Sequence, residues 1–393
     1  NRHCASCRRQ RRADWVERLL GWMLPVDYLH CVFTVPHELI PLFLANEDQL
    51  YRLLFASVAQ TLNSVFRKSF HARPGFIMVL HTWGQRMNLH PHVHVIITLG
   101  GLKLDETAWV HPSDDDITHG EFSKIALAKL FRELFLKGIV KLFRQQKLTI
   151  PPSMEKSKPI RCEADLNDWL QPVRDKAWRA NVQAAPDHCH GPEAVLKYLA
   201  GYVAGSAIRD DRILRYDGQC VVIRVKDYRT GSIIELPMTG EQFVQRFTLH
   251  ILPPRLIRIR YAGLFSARYR KRWLEVSRQV LGAPPLEEVD APDGGEEDAA
   301  FREDAPFTHP HAPECARCGM PGMVSRGNRN ALGRSYYLRM MSLLCARFFT
   351  HASTLDRSSI ARPILTESFD CLPATVEVTF AVVPWQSSVT MRI

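Results

Sequence analysis

Apolar and polar residues alternate along the chain with two different periods, which predict a mixture of strands and helices. Residues 28–35, 76–83 and 93–99 are short runs rich in β-branched and aromatic side chains, as is typical of strands. The second and third runs are joined by a short polar segment, which predicts an antiparallel hairpin. Residues 46–70 and 122–148 carry apolar side chains at helical spacing. We therefore expect an α+β fold in which helices flank a central antiparallel sheet.

The second half of the chain carries further elements and then loses its pattern. Residues 193–208 predict a helix that begins after a Gly-Pro break, and residues 220–226 and 232–236 alternate as two strands do. A stretch rich in Pro, Gly and acidic residues, 284–314, predicts a linker without regular structure. The residues from 324 onwards contain no lysine and show no clear periodicity. We expect them to be an atypical tail.

Charge adds a polyanionic partner to this outline. The 393 residues include 51 Lys and Arg against 41 Asp and Glu, a formal net charge of +10, and a basic surface of this kind favours nucleic acid. No apolar run approaches the roughly 18 residues of a membrane span, so we expect no membrane segment. The chain starts at Asn1 without Met or an apolar signal core, so we expect a trimmed start and a cytoplasmic protein.

Cysteine spacing indicates metal binding rather than disulfides. Of ten cysteines, Cys4 and Cys7 form one Cys-x-x-Cys pair and Cys315 and Cys318 form another. Such pairs in a chain without a secretory signal suit zinc in a reducing compartment. One pair cannot complete a tetrahedral site, so the further ligands must come from elsewhere.

A histidine pair on the third predicted strand is a candidate metal site. His92 and His94 are two residues apart, so their side chains point to the same face of the strand. Gln85 ends the partner strand and is the candidate third ligand, since an amide oxygen suits Mg²⁺ or Mn²⁺. A glutamine that only hydrogen-bonds in the turn is equally consistent with the sequence. His90 is expected in the turn, because Pro91 interrupts the strand.

Two tyrosines share one face of the helix predicted at residues 193–208. Tyr198 and Tyr202 are four residues apart, so both hydroxyls project in the same direction. Gly201 and Gly205 would allow another chain to approach the helix closely. Taken alone, such a tyrosine pair is more typical of packing than of catalysis.

Taken together in this order, the motifs resemble the two-tyrosine HUH transposases, most closely the rolling-circle insertion-sequence transposases of the IS-ninety-one type. The resemblance covers residues 1 to about 320. It rests on the His92-Val93-His94 strand, on the Tyr198 and Tyr202 pair, and on the following segments: Asn1-Arg2-His3-Cys4, Phe33-Thr34-Val35-Pro36, His81-Thr82-Trp83-Gly84-Gln85, Lys226-Asp227-Tyr228-Arg229 and Arg258-Ile259-Arg260-Tyr261-Ala262-Gly263. The family's zinc module has further cysteines upstream of the first residue here, so the module is expected to be partial.

The resemblance implies a DNA transposase with an HUH nuclease domain. A tyrosine, Tyr198 or Tyr202, would attack single-stranded DNA at the element's ends and form a 5′-phosphotyrosine link. His92, His94 and Gln85 would hold Mg²⁺ or Mn²⁺, and Cys4 and Cys7 would bind Zn²⁺. The implied divisions are a partial zinc module (1–27), the HUH domain (28–208), a basic part (209–281), an acidic linker (282–314), a Cys-x-x-Cys segment (315–323) and the tail (324–393).

A dense cationic stretch is the candidate DNA-binding surface. Tyr261 and Tyr269 lie among the charges, and phosphate neutralisation combined with base stacking is the physics of single-strand binding. A solvated basic helix face is the simpler interpretation. The residues concerned are Arg255, Arg258, Arg260, Arg268, Arg270, Lys271 and Arg272.

Other functions fit parts of this pattern. A replication initiator or relaxase would use the same chemistry for a different task, and a non-catalytic zinc-dependent DNA-binding protein would need the cysteines but neither tyrosine. A carboxylate nuclease based on Asp114, Asp115 and Asp116 ranks last, because that run is expected to be a polar turn. A metallo-β-lactamase type of site would need Asp-His after the histidine pair, and the chain has Val95-Ile96 there.

Overall fold

The structure is a computed structural model, and it describes residues 15–17, 19–155, 158–184, 201, 205–227, 230–285, 377–382 and 387–392. The chain divides into two compact units, Asn1–Gly327 and Asn328–Ile393. In chain order, the strands of the first unit are β1 (Tyr28–Thr34), β2 (Ala72–Arg73), β3 (Gly75–Trp83), β4 (Leu89–Thr98), β5 (Gly101–Lys103), β6 (Trp109–Val110), β7 (Arg179–Ala184), β8 (Ile213–Tyr216), β9 (Cys220–Lys226), β10 (Ile233–Thr239) and β11 (Ile259–Gly263). Its helices are α1 (Ile40–Ala45), α2 (Glu47–Ser69), α3 (Asp114–Thr118), α4 (Lys124–Arg144), α5 (Glu163–Asp175), α6 (Gly240–Thr248) and α7 (Arg270–Val280).

A five-stranded antiparallel sheet organises the first unit, with the order β11-β3-β4-β1-β7. The predicted hairpin is confirmed as β3 and β4, and the histidine strand β4 is central, as expected. The first unit also contains two smaller three-stranded sheets, with the strand orders β10-β9-β8 and β2-β5-β6. The observed fold is therefore mixed helix and antiparallel sheet, in agreement with the coarse expectation.

The two faces of this sheet bury different partners. Alternate residues such as Phe33, Phe76 and Val95 pack with α2 and α4 in the larger core. Gly138 of α4 allows close contact with α2, since a Cβ there would lie 2.2 Å from a Leu53 methyl. The other face buries Ile77, Val79 and Ile96 in a second core that also contains Trp22 and Leu274. The histidines lie further along β3 and β4 on this second face.

The β4 strand is longer than the sequence pattern predicts, and the expectation that Pro91 interrupts it is wrong. β4 starts at Leu89 and includes His90 and Pro91. The pairing jumps from His81 opposite His92 to Trp83 opposite Leu89, so two residues of β4 face one residue of β3. A β-bulge of this kind leaves a ladder position unpaired, and proline is tolerated there because it has no N–H to lose.

Residues 209–281 are joined closely to the histidine hairpin. β11 forms the edge of the main sheet beside β3. Three side chains donate to three successive carbonyls of the β3–β4 turn, an arrangement that we call the turn clamp. It consists of Arg212 on the Gln85 carbonyl, Arg246 on that of Arg86 at 2.9 Å, and His250 on that of Met87 at 3.1 Å. β11 and the turn clamp therefore tie this part of the chain to the sheet that carries the histidines.

Two other expectations are changed by the structure. Asp114, Asp115 and Asp116, expected as a polar turn, begin the short helix α3, because Ser113 and Asp116 form a reciprocal capping box. The helix predicted at 193–208 lies mostly outside the described residues. Of its described residues, Gly201 is helical and residues 205–208 are not.

The remaining expectations concern the tail and the membrane. In the second unit, β12 (Glu377–Val382) and β13 (Ser387–Arg392) pair antiparallel, which the pattern of the tail did not predict. The predicted linker at 284–314 lies outside the described residues beyond 285. Among the described helices, none is both long enough and apolar enough to cross a membrane.

Candidate metal centre

Three histidines meet on the second face of the main sheet. His81 of β3 pairs in register with His92 of β4, and His94 is two residues further along β4. One ring nitrogen from each lies within 4.8 Å of the others, and no other group of three potential His, Cys, Asp or Glu ligands occurs in the described part of the chain. The expectation that His92 and His94 share a face is confirmed.

Ring contacts and hydrogen bonds fix the orientation of these histidines. The centroid of His81 lies 4.3 Å from that of His94 and 5.3 Å from that of His92. His92 Nδ1 lies 2.7 Å from the His90 carbonyl, which can only accept, so this nitrogen carries the proton. His94 Nδ1 lies 2.9 Å from Nε2 of His30 on β1. Each histidine of the pair therefore has its Nδ1 engaged on the side away from a ligand.

Burial keeps the imidazoles of His30, His92 and His94 neutral by lowering their pKa values. Loss of solvent lowers the pKa of His92 to about 4 and that of His30 to about 4. It also places the pKa of His94 well below its usual range, and the neighbouring histidines and Arg258 lower that pKa further. A neutral imidazole is the form that binds metal.

The donor set fits a divalent transition ion. Imidazole nitrogen suits ions of intermediate softness, and His81, His92 and His94 supply three such nitrogens in one buried place. Mg²⁺ prefers oxygen ligands and keeps several waters, so three imidazoles favour a transition ion over Mg²⁺.

Sequence reasoning did not single out His81 as a candidate ligand. The residue is quoted in a motif of the resemblance, yet the ligand prediction used Gln85 instead. Gln85 lies in the turn after β3, and its carbonyl accepts from Arg212. Its side chain as a metal ligand stays a prediction. A signal for His81 exists in retrospect, because Ile77, Val79 and His81 alternate on the face that carries the histidine pair.

Arg258 connects this centre to the segment that follows the tyrosine pair. Its Nε donates to the Leu80 carbonyl at 2.8 Å, and its Nη2 donates to the Gly205 carbonyl at 2.8 Å. Its guanidinium also lies 5.0 Å from the centroid of the Trp83 ring. Leu80 directly precedes His81, so one side chain links the start of the described segment after Tyr202 to the metal centre. Tyr198 and Tyr202 themselves lie outside the described residues, as do Cys4 and Cys7.

The predicted cationic stretch does not form one exposed face. Arg270 is only 5% exposed and lies 3.7 Å above the Trp22 ring, while Arg260 lies 4.2 Å above Phe55. Arg272 is exposed and pairs with Glu106 at 2.9 Å. The stretch is thus partly structural. Its other exposed cations are Arg255, Arg268 and Lys271.

Fold and site define a basic, mixed helix and antiparallel-sheet protein with a buried three-histidine centre. A family model described as "Putative transposase" matches residues 75–272, and one described as "Transposase zinc-binding domain" matches residues 1–35. The chain therefore belongs to the transposase family of IS-ninety-one type insertion sequences. The first match contains His81, the histidine pair and the tyrosine pair, and the second contains Cys4 and Cys7.

Two curated relatives are also described as transposases. The chain is 34% identical over 298 residues to "Putative transposase y4qJ" of Sinorhizobium fredii (strain NBRC 101917 / NGR234), covering 74% of this chain and 72% of the relative. It is 27% identical over 281 residues to "Transposase for insertion sequence element IS801" of Pseudomonas savastanoi pv. phaseolicola. That match covers 71% of this chain and 64% of the relative, slightly less than two thirds of its length. No solved structure matches the chain significantly.

Proposed function

We propose that this protein is a metal-dependent HUH transposase that cuts and rejoins single-stranded DNA at the ends of its element through a 5′-phosphotyrosine intermediate. The observation that carries this proposal is the buried His81, His92 and His94 cluster on the two central strands. A cluster of this composition is costly to bury unless it has a ligand, and its place within the transposase match makes a DNA phosphate the natural substrate. We propose Mn²⁺ or Mg²⁺ as the bound ion, with Gln85 as a possible oxygen donor.

Chain connectivity supports the tyrosines as nucleophiles. Gly205 is fixed by Arg258 beside Leu80, and Tyr202 precedes Gly205 by three residues. Three residues span at most about 11 Å even when fully extended, and this short connection to the anchor is what supports Tyr202 as the proposed nucleophile. Tyr198, one helical turn earlier in the predicted helix, belongs to the same segment.

The chemistry balances without any co-reactant. The tyrosine hydroxyl oxygen attacks phosphorus, the bond from phosphorus to the 3′-oxygen breaks, and the proton lost by the phenol is matched by one gained by the 3′-oxygen. The phosphodiester becomes a phosphotyrosine ester of similar energy, so rejoining by the reverse attack needs no ATP. A bound divalent ion would polarise the phosphate and stabilise the added charge. Because phenol has an ordinary pKa of about 10, it needs such help at neutral pH.

Two tyrosines allow two strand transfers in sequence. One would hold the first cut end while the other makes the second cut, as rolling-circle-like transposition requires. The exposed cations Arg255, Arg268, Lys271 and Arg272 would contact the DNA backbone, and the N-terminal zinc module would help to recognise the ends. We propose that the protein acts in the bacterial cytoplasm, where the DNA of the element lies.

The test uses labelled single-stranded oligonucleotides that cover the DNA on both sides of the gene, incubated with the full chain and Mn²⁺. A denaturing gel and peptide mapping should show a covalent adduct on Tyr198 or Tyr202, lost with EDTA and in His92→Ala. Tyr216→Phe is the matched control, since Tyr216 is exposed and its hydroxyl donates to the carbonyl of the nearby Gly218 at 2.8 Å.

The possible outcomes separate the proposal from its alternatives. An adduct that forms only on single-stranded DNA unrelated to the ends of the element would favour a replication initiator or relaxase with other targets. Zinc-dependent binding without any adduct in the wild type would refute the nuclease proposal and favour a non-catalytic DNA-binding protein. If Tyr198→Phe and Tyr202→Phe each completed full transposition, the alternation of the two tyrosines would be refuted.

A further inference from the structure

A fourth histidine, His30, lies directly beside the candidate metal centre but outside its ligand set. It occupies β1, where it pairs in register with Ile96, while Val32 pairs with His94. His30 and His94 are therefore diagonal neighbours on one face, a relation that long and aromatic side chains can bridge. His30 is 5% exposed.

The contact between the two rings is a hydrogen bond in the ring plane. His30 Nε2 lies 2.9 Å from His94 Nδ1. The two ring planes differ by 9° and their centroids are 5.1 Å apart. With one nitrogen of each ring in contact at this centroid separation, the rings lie edge to edge rather than face to face. An edge-to-edge contact between two imidazoles needs one proton between the nitrogens.

The position of that proton decides whether His94 can bind a metal. If His30 donates, His94 Nδ1 is the acceptor, and the neutral ring of His94 then carries its proton on Nε2, where it blocks a ligand. If His94 Nδ1 donates, its Nε2 keeps a lone pair and can bind the ion. The second arrangement requires His30 to accept through Nε2 and to carry its own proton on Nδ1.

His92 shows the same requirement met in a different way. Its Nδ1 donates to the His90 carbonyl at 2.7 Å, and a carbonyl has no proton to offer in return. The tautomer of His92 is thus set by the backbone. The tautomer of His94 depends on a side chain, since its recorded Nδ1 partner is His30.

We propose that His30 is a positioning residue that accepts a hydrogen bond from His94 Nδ1 and thereby presents His94 Nε2 to the metal. The role is that of the outer groups which fix the tautomer and orientation of metal-binding histidines. It rests on the proposed function, because it assigns His94 as a ligand of the catalytic ion.

The test compares two replacements of nearly equal size in the full chain. Glutamine at position 30 has an amide oxygen that can accept from His94 Nδ1, whereas leucine cannot. His30→Leu should weaken Mn²⁺ binding by about 10- to 100-fold, as loss of an outer-shell partner does. His30→Gln should stay within about threefold of wild type because it restores an acceptor. Val32→Ala is the matched control, since Val32 is on the same face opposite His94 and offers it no hydrogen bond.

Two readouts separate positioning from packing. Mn²⁺ affinity is measured by electron paramagnetic resonance of the free ion, with thermal unfolding to confirm that each variant is folded. In metal-free protein labelled with ¹⁵N-histidine, NMR reports the tautomer of His94. We expect Nδ1–H in wild type and His30→Gln, and a shift towards Nε2–H in His30→Leu.

Each outcome decides between the two ideas. Unchanged Mn²⁺ affinity and tautomer in a folded His30→Leu variant would overturn the proposal and leave His30 as a packing residue. Equal loss in His30→Gln and His30→Leu would also overturn it, because the acceptor would then be irrelevant. If the wild type bound no Mn²⁺ at all, the metal part of the proposed function would fail, and the NMR tautomers would still decide whether His30 sets His94.

Discussion

Replacing Arg258 by lysine tests whether this residue anchors the tyrosine segment or neutralises DNA phosphate. The guanidinium donates at once to the Leu80 and Gly205 carbonyls, both at 2.8 Å. Lysine keeps the charge but replaces the planar guanidinium fork by a single ammonium, so it cannot keep both hydrogen bonds in their present geometry. Loss of one hydrogen bond from a charged, half-buried group should lower the free energy of unfolding by about 1.5–3 kcal/mol.

The functional effect should exceed the loss of stability. Under the proposed function, release of Gly205 from the strand that carries His81 would leave the tyrosine segment without this anchor, and misplacement of a nucleophile costs on the order of 100-fold in rate. We expect adduct formation by Arg258→Lys to fall 10- to 100-fold, roughly, at a temperature where the variant is folded. Its affinity for single-stranded DNA should remain that of wild type, because no charge is lost.

Arg255→Lys is the matched control, since Arg255 is exposed and lies three residues earlier in the same cationic stretch. It should leave the unfolding midpoint and the rate of adduct formation unchanged. The anchoring argument is refuted if Arg258→Lys cuts DNA at the wild-type rate with unchanged stability. A phosphate contact would then explain Arg258, and Arg258→Met should reduce the salt slope of DNA binding by about 1.

Three further results are expected. His81→Ala should weaken Mn²⁺ binding by more than tenfold, roughly the cost of a lost ligand or its outer partner, while Gln85→Ala should weaken it less. Isothermal titration measures both affinities. If Gln85→Ala lost more Mn²⁺ affinity than His81→Ala, Gln85 would be restored as the third ligand. Gly263→Ala should be strongly destabilising, because φ is +60° and a Cβ would lie 1.8 Å from the Pro74 carbonyl oxygen. Gly218→Ala is its control, since φ is +101° there but no atom lies within 4 Å of the added Cβ. In a chemical-denaturation curve Gly218→Ala should show only the backbone strain of about 1–3 kcal/mol. The metal-free protein should lose stability as pH falls from the ordinary histidine pKa of about 6.5 towards 4, because the unfolded chain binds protons in this range and the folded chain does not. Each of the buried histidines should lower the free energy of unfolding by about 3 kcal/mol in full acid. A urea midpoint that stayed constant between pH 7 and pH 4.5 would contradict this prediction. The histidines whose pKa falls to about 4 are His30, His92 and His250.

The hairpin and its histidine pair were predictable because local patterns determine them. Alternation along 76–83 and 93–99 gives the strands, and a period of two places His92 and His94 on one face. Alternation along β3 also gives the face of His81, but its position opposite His92 depends on the register of the hairpin, which the pattern does not give. The bulge at His90 and Pro91, opposite Thr82, shifts that register, and a sequence pattern alone does not show where a bulge falls.

The environment of the arginines was also beyond the sequence. A run as basic as residues 255–272 resembles a solvated surface, yet Arg270 packs on Trp22 and Arg260 on Phe55. Both aromatic partners are more than 190 residues away in the chain, and only tertiary packing brings them together. The charge count predicted the partner class, and the three-dimensional arrangement decides which cations remain exposed to meet it.

The position of β11 has a consequence for how the protein is made. β11 covers the edge of β3 over Gly75 to Val79, a stretch of apolar residues that otherwise offers unpaired backbone groups to any other strand. Because the chain is synthesised from its N-terminus, β3 and β4 emerge long before residues 259–263 do. Until then β3 is an unpaired, apolar edge strand of the growing sheet. Pairing of β11, which is synthesised late, therefore closes an edge that could otherwise pair with strands of other molecules and aggregate.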